Sequence, residues 1–473
     1  MLFRLVYDEA LAHASYLIGC QRTGEAIVFD PARDVDQYMH LASTHGMRIT
    51  ATAETHIHAD FLSGCGELAR RCGAHVYVSG EGGPDWQSNW VQAGPHTILK
   101  HGDQFQMGGI RFRVIHTPGH TPEHLIYEVI DQPASDEALG LITGDFVFVG
   151  ALGRPDLLET ELGVEGAREA SAHDLYASAQ RFLELPDFLQ VWPAHGSGSA
   201  CGKALGSVPQ STVGYERRAN PSLEHIDDEA AFVEDILAGQ TEPPLYFARM
   251  KRWNRDGVPP LDPEFGPALL SPADAATLNL DEITIIDVRP WPVFRANHAR
   301  NALWSAPGAW FPASVGSYVE PDQKVVLLIH ESQAETYLRL LLRIGIDQVA
   351  GVLTPSAFEA AAPQMDTQSA AEVDARGLQD AIDAGNDRIV DVRSLDEHER
   401  GAVPGATHVP YTRLAERMNQ LPPANQEPLL VHCQGGLRSA MALTYLQQHG
   451  YQPVNIAGGY AAWSQLTQRQ AQS

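Results

Sequence analysis

The sequence predicts a multidomain α/β protein, and three observations carry that expectation. At 473 residues the chain is too long for a single hydrophobic core, because cores stop growing beyond ~250–300 residues. Its first half alternates short apolar segments with helical stretches, and each apolar segment runs into a polar or glycine-rich loop. Its last two hundred residues or so repeat themselves at a spacing near one hundred.

Taken in order, Leu2-Phe3-Arg4-Leu5-Val6-Tyr7 alternates as a strand does and lacks the basic start and apolar core of a signal peptide. Strands are expected at Ala26-Ile27-Val28-Phe29, Arg48-Ile49-Thr50-Ala51-Thr52-Ala53, His75-Val76-Tyr77-Val78, Phe112-Arg113-Val114-Ile115, Leu141-Ile142-Thr143 and Leu189-Gln190-Val191-Trp192. The residues with chemistry follow these strands: His56 and His58, His120, Asp145 and His195. A layered α/β scaffold builds sites from loops at strand ends in this way. We assign residues 1–240 to this first domain. Residues 241–265, with Pro243-Pro244, Pro259-Pro260 and Pro263, read as an ordered, extended linker lying against the domains.

Beyond it, Ile285-Ile286-Asp287-Val288-Arg289 recurs as Ile389-Val390-Asp391-Val392-Arg393, and Val325 to His330 recurs before His432. The offset is 104 at the first landmark, 102 at the histidine and 105 at Gly345 and Gly450, which places a three-residue deletion in the first copy just after His330. Two α/β modules follow, residues 266–365 and 366–473.

Composition narrows the function. A formal net charge of −26 leaves no basic stripe to replace phosphate counterions, which argues against nucleic acid. No apolar run reaches the ~18 residues of a membrane span. Five scattered cysteines (Cys20, Cys65, Cys72, Cys201, Cys433) are too few and too irregular for a disulfide framework. We therefore expect reduced thiols and a cytoplasmic location, with Cys20, Cys65 and Cys72 as packing residues.

The front half holds Thr55-His56-Ile57-His58-Ala59-Asp60, then His120 in a Pro-Gly-His-Thr loop, Asp145 in Thr-Gly-Asp and His195 in Pro-Ala-His. His56, His120 and Asp145 supply two imidazoles and one carboxylate, the set that leaves positions open on non-haem Fe(II) for a thiolate and dioxygen. A single loop histidine is as often a hydrogen-bonded core residue as a ligand; the grouping points to a metal. His116 and His124 read as loop or supporting residues. Cys201, with Lys203 two residues on, has two readings: a buried inert thiol, or a thiol that holds sulfane sulfur beside the metal.

In the rear half Cys433 ends a buried strand and opens Cys433-Gln434-Gly435-Gly436-Leu437-Arg438-Ser439, ahead of a helix expected over Ser439–Gln448. Gly435 and Gly436 allow several backbone N–H groups to converge on one centre, favouring a thiolate or a bound oxyanion. Arg438 adds planar, charge-assisted donors. The first copy carries Glu331 in place of Cys433, and Leu353-Thr354 in place of Gly458-Gly459, so it reads as catalytically dead.

On these motifs residues 1–240 resemble the metallo-β-lactamase superfamily. Within it, the His-x-His-x-Asp run and Gly153-Arg154-Pro155-Asp156-Leu157 are similar to the persulfide dioxygenases. Residues after about 370 resemble the rhodanese sulfurtransferases, through Asp391-Val392-Arg393, Val403-Pro404-Gly405-Ala406, the Cys-x-x-Gly-x-Arg-Ser loop and Gly458-Gly459-Tyr460. The resemblance implies an αββα sandwich followed by two rhodanese-like α/β domains, the first inactive. It implies one Fe(II) per protomer on His56, His120 and Asp145, with the second metal position of hydrolase relatives, around His58, Asp60 and His195, vacant. Where that motif often reads Asp-His, this chain has Asp60-Phe61, one imidazole fewer for a second metal. It also implies Arg154 at the substrate, where the second reading of Cys201 would place that thiol too, Cys433 as sulfur-accepting nucleophile, and Gln434, Gly435, Gly436, Leu437 and Arg438 as its cradle.

The activity expected is oxidation of a low-molecular-weight persulfide with O2, coupled to sulfur exchange among a thiol, sulfite and thiosulfate. No membrane or nucleic-acid partner is expected, and the protein is expected to be a homo-oligomer, dimer or tetramer. Two alternatives stand beside it: a zinc thioester hydrolase resembling glyoxalase II, and a non-catalytic sulfur-trafficking protein.

Overall fold

The computed structural model describes residues 1–156, 166–203, 205–262 and 265–471, so Leu157 and Pro263 lie outside the described residues. The chain divides into two compact units, residues 1–263 with 342–345, and residues 264–341 with 346–473.

The first unit is built on two sheets. One runs in spatial order β1 (Leu2–Asp8), β2 (His13–Cys20), β3 (Glu25–Phe29), β4 (Arg48–Ala53), β5 (His75–Ser79) and β6 (His96–Leu99). It is antiparallel through β3 and parallel from there on. The other contains β7 (Gln104–Met107), β8 (Ile110–His116), β9 (Leu125–Asp131) and β10 (Gly140–Gly144). A small hairpin, β11 (Val147–Phe148) and β12 (Ala151–Leu152), follows, and then β13 (Gln190–Pro193) and β14 (Ser211–Thr212) join the second sheet in the order β14-β13-β10-β9-β8-β7.

Tyr16, Phe29 and Ala53 of the first sheet meet Phe112, Tyr127, Ile142 and Trp192 of the second in one core. On the far side of the first sheet, Leu17 and Val28 pack against Tyr38 and Leu68 of the helices Asp36–Thr44 and Cys65–Cys72. On the far side of the second, Leu141 and Val191 pack against Leu175, Phe182 and Phe232 of the helices Ala167–Leu183 and Glu229–Leu237. The two-residue side-chain period thus feeds both faces of each sheet, giving the αββα layering. Each fully buried Phe or Leu is worth ~1.5–3 kcal/mol, so these layers, rather than local propensity, hold the loops at the strand ends.

The passage 241–265 departs from an extended linker: Tyr246–Asp256 is a helix. Pro243-Pro244 and Pro259-Pro260 flank it instead of straightening it, and Phe247 N donates to the Pro244 carbonyl in its first turn. Tyr246, Phe247, Met250 and Asn254 recur at helical spacing and are buried, so apolar periodicity prevailed over the proline punctuation.

In the second unit, β15 (Ile283–Asp287), β17 (Ala302–Trp304), β18 (Lys324–Leu328) and β19 (Val349–Leu353) form a parallel sheet in the order β17-β15-β18-β19, while β16 (His298–Ala299) pairs with β20 (Thr367–Gln368). A second parallel sheet runs β21 (Ala371–Val373), β25 (Gln452–Ile456), β24 (Pro428–His432), β22 (Ile389–Asp391), β23 (Thr407–His408). The order β23-β22-β24-β25 repeats β17-β15-β18-β19, so the sequence repeat is a structural one. The copies share a core: Ala440 and Met441, of the helix Leu437–Gln448, pack with Ile285, Val326 and Trp304. That helix begins two residues ahead of the Ser439 expected from sequence, because Gly436 turns the chain directly into it.

Candidate metal centre and cysteine loop

Three loops bring His56, His120 and Asp145 together, with ligand atoms within 4.8 Å of one another and all three side chains buried. The hydrogen bonds fix which nitrogen faces inward. Thr55 Oγ1 donates to Asp30 Oδ2 (3.0 Å), so it accepts from His56 Nδ1 (2.9 Å). His120 Nδ1 donates to the Arg154 carbonyl (2.9 Å) and His195 Nδ1 to that of Ala12 (3.1 Å). Each ring therefore keeps an Nε2 lone pair for the centre, the tautomer a metal needs.

Those Nε2 atoms converge on Asp145. His56 and His120 stand 3.9 and 3.4 Å from Oδ2, and His195 stands 3.5 Å from Oδ1. Neither Asp145 oxygen finds a hydrogen-bond partner among the described residues. A bare buried carboxylate ringed by lone pairs costs several kcal/mol, which a cation would offset, and so the residues fit a metal ion.

Burial, and next the charge of Lys251, hold His120 down at about 3; burial and neighbouring imidazoles keep His56 well below its ordinary value. Both stay neutral, the form that ligates. Burial pushes Asp145 up to about 6 against the pull of His195.

A second set, Asp60, His195 and Cys201, lies equally close together and equally buried, and Asp60 Oδ2 and His195 Nε2 have no hydrogen-bond partner among the described residues. His58 belongs to neither set: its Nε2 meets Asp30 Oδ1 at 3.1 Å. Burial alone would lower its pKa, yet the Asp30 carboxylate lifts it to about 9.

One expectation needs correction here. Lys203 does not activate Cys201, since its Nζ donates to the Asp235 carbonyl; burial, then Asp60 and Asp145, push the thiol well up. The Arg154 guanidinium, expected at the substrate, is held bidentately by Asp156 (2.8 and 2.6 Å) and donates to the Ala200 and Thr241 carbonyls. The backbone carbonyl of the same residue orients His120. Gly153 beside it admits no side chain, since a Cβ would stand 1.8 Å from the Asp145 carbonyl oxygen.

Sequence reasoning missed several supports. Asp30 fixes the His-x-His loop by accepting from Thr55 N at 2.7 Å. Asn254 donates to the His58 and Phe61 carbonyls (2.8 and 2.7 Å) and accepts from Ser63 N (2.9 Å). His124, which the sequence marks as a loop or supporting residue, accepts from Asp145 N at 3.1 Å. Phe61 packs on His13 with ring centroids 4.0 Å apart and the planes tilted by 40°, and the His13 ring lies 5.6 Å from that of His195. Only the buried helical spacing of Asn254 offered a signal, and it lay inside a segment that prolines mark as irregular.

At the rear, Cys433 is 1% exposed, while Gln434, Gly435 and Leu437 face solvent. Gly436 N donates to Cys433 Sγ at 3.1 Å. Tyr460 N and Ala461 N, in the first turn of the helix Gly459–Ala471, donate to the Cys433 and Gln434 carbonyls (2.7 and 3.1 Å) and pin the loop. Arg438 meets a competitor that sequence reasoning did not foresee: Glu397 takes it bidentately at 2.5 and 2.7 Å. In the first copy the strand ends at Leu328 and a helix starts at Glu331, so the loop is absent and Glu331 sits at a helix N-terminus, where a carboxylate is favourable.

Residues 8–195 match the metallo-beta-lactamase superfamily, and residues 374–466 match the rhodanese-like domain family. A solved structure titled metallo-beta-lactamase, from Staphylococcus aureus subsp. aureus COL, superposes with a TM-score of 0.66 at 36% identity, covering 75% of this chain and 99% of that one. A probable metallo-hydrolase of Burkholderia pseudomallei is 27% identical over 252 residues, 48% of this chain and 82% of its own length. The mitochondrial persulfide dioxygenase ETHE1 of Bos taurus is 26% identical over 239 residues, 50% of this chain and 82% of its own. The chain belongs to the metallo-beta-lactamase superfamily. It is a fusion in which a domain of that fold, related to persulfide dioxygenases, precedes a C-terminal rhodanese domain.

Proposed function

We propose that the front centre oxidises a low-molecular-weight thiol persulfide, such as glutathione persulfide, to sulfite, and that Cys433 exchanges sulfane sulfur among a thiol, sulfite and thiosulfate, as a cytoplasmic route of sulfide detoxification. The observation that carries this reading is the buried trio His56, His120 and Asp145, with bare acceptor atoms for one ion, on a chain that also carries the Cys433 loop. One Fe(II) held by that trio supplies the redox contact with dioxygen that the side chains lack. In balance, the terminal sulfur takes both oxygen atoms of O2 and one from water and leaves as sulfite, while the S–S bond breaks to release the thiol.

The chain's own part is orientation and charge. Thr55 and the Arg154 carbonyl hold the imidazoles in their ligating tautomers. Lys251, buried with its ammonium 4.8 Å over the Trp86 ring, brings a local positive charge toward His120, which an anionic persulfide needs in so acidic a protein. At the rear, Cys433 Sγ attacks the outer sulfur of thiosulfate, the S–S bond breaks, sulfite leaves, and a thiol then takes the sulfur from the cysteine persulfide; the same steps run in reverse.

Iron-loaded protein is expected to consume O2 with glutathione persulfide. His120→Ala abolishes that uptake, whereas Cys433→Ser spares it and removes only thiosulfate turnover. Iron-loaded protein that leaves O2 untouched overturns the proposal. A second reading, metal-dependent thioester hydrolysis, is favoured by one observation, the adjacent donors Asp60, His195 and Cys201; thioester turnover by zinc-loaded protein without O2 would select it.

A further inference from the structure

The cation of the Cys433 loop is already engaged. Arg438 Nη1 and Nη2 donate to Glu397 Oε2 and Oε1 at 2.5 and 2.7 Å, a bidentate pair whose side chains are only 16% and 25% exposed. Glu397 is itself anchored. Ser394 N and Oγ donate to its Oε2 at 3.1 and 3.0 Å, closing the capping box of the helix Leu395–Glu399. Arg393 Nη1 donates to the Glu397 carbonyl at 3.0 Å, and Arg393 is buried and paired with Asp391 at 2.6 Å. Burial draws the Arg438 pKa down, yet Glu397 and then Cys433 carry it above its ordinary value, so the guanidinium stands within electrostatic reach of the sulfur.

The first copy supplies an internal comparison. At the offset of 104 that aligns Asp287 with Asp391, Val293 occupies the place of Glu397. Both copies build a short helix there, Trp291–Ala296 and Leu395–Glu399, so the fold does not require a carboxylate at this place. The carboxylate accompanies the cysteine loop. Charge then decides which donors that loop favours. Thiosulfate brings two negative charges within one bond of the sulfur to be transferred, whereas an organic persulfide brings at most one there. A guanidinium offset by a fixed carboxylate attracts either anion less, and the repulsion from Glu397 acts on two charges in the dianion.

We infer that Glu397 is a specificity-determining residue: by engaging Arg438 it turns the Cys433 loop away from thiosulfate and toward organic persulfides as sulfur donors. The inference rests on the reading of Cys433 as a sulfur-accepting nucleophile. In the favoured step Cys433 Sγ, as thiolate, attacks the terminal sulfur of R–S–SH. A new S–S bond forms as the old one breaks, and RS− leaves with the electron pair of the broken bond. The transferred sulfur keeps its proton and becomes the outer atom of the cysteine persulfide.

The test has two arms, both in the full-length protein. In the first, alkylation of Cys433 by iodoacetamide is followed by mass spectrometry of its peptide, while sodium sulfate, an unreactive dianion, replaces sodium chloride at constant ionic strength. Glu397→Gln keeps a side chain that serves a capping box and loses the charge. Its half-protecting sulfate concentration is expected about tenfold below that of the wild type. In the second arm, the ratio of kcat/KM for thiosulfate to that for glutathione persulfide is expected to rise about tenfold in the same variant.

Unchanged or weaker sulfate protection in Glu397→Gln overturns the inference, since the carboxylate would then be aiming Arg438 at anions instead of withholding it. A donor ratio that stays level or falls overturns it as well. Should Glu397→Gln fail to fold, Glu397→Ala goes through both arms with the same expected and overturning results. Sulfate protection needs no sulfur donor or acceptor. A wild type that transfers sulfur from neither donor would therefore count against the sulfurtransferase reading, while the sulfate arm still decides whether Glu397 withholds Arg438 from dianions.

Discussion

Gly459 has a backbone φ of +55°, and a Cβ there would lie 2.2 Å from the Cys433 carbonyl oxygen. The helix start can therefore receive the Cys433 loop only if this position has no side chain. Gly459→Ala is expected to displace the loop and lower thiosulfate turnover on the order of a hundredfold, with O2 uptake on persulfide unchanged; paired turnover and oxygen-electrode assays check it. The first copy has Thr354 at the matching position, where it caps the helix Pro355–Ala361, because no loop approaches.

Single residues were legible in sequence where their type and their neighbours agreed, as with Cys433, Gly436 and His56. Cys201 and Lys203 show the limit. Adjacency in sequence suggested a charge effect, whereas folding gave the lysine to Asp235 and the thiol to Asp60 and Asp145. Arg438 shows the same limit, since its partner Glu397 lies 41 positions away in sequence.

Among elements, the helix Tyr246–Asp256 does most to correct the sequence reading. Its Asn254 satisfies two carbonyls and one N–H of the His-x-His-x-Asp loop, so a segment read as linker braces the metal centre. Asn254→Ala leaves those three backbone groups without protein partners and is expected to cost ~1–3 kcal/mol for each group that stays dry, with a parallel fall in bound metal. Urea unfolding and elemental analysis of the same samples check both. The strands were the readable part, because alternation and terminal loops mark them locally. Which sheet each strand joins was not readable, since β13 pairs with β10 across the intervening chain.

For the whole molecule, acidity and burial pull on stability together. Burial lowers His298 and His432 to about 4, against an ordinary value of ~6.5, so both are neutral when folded and protonate more readily when unfolded. The unfolded state then binds more protons between these values, and stability declines as pH drops from 6.5 toward 4. His298→Gln is expected to remove on the order of 2 kcal/mol of that decline, read from urea midpoints across the window.

Asp391 behaves differently. Burial raises it, but Arg393, His432 and His398 bring it to about 2, so its stabilisation is present above pH ~4 and fades only as pH falls toward 2. Asp287, the matching residue of the first copy, has an arginine partner but no such histidines, and burial leaves it raised.

The shared core of the two copies limits how this protein can be dissected. Ala440, Met441 and Thr444 belong to the helix that follows the nucleophile, yet they are buried against the first copy, and Thr444 Oγ1 accepts from Trp304 N. A fragment trimmed to the cysteine-bearing copy would turn that seam toward water. Its insolubility would report a missing neighbour, and would say nothing against Cys433.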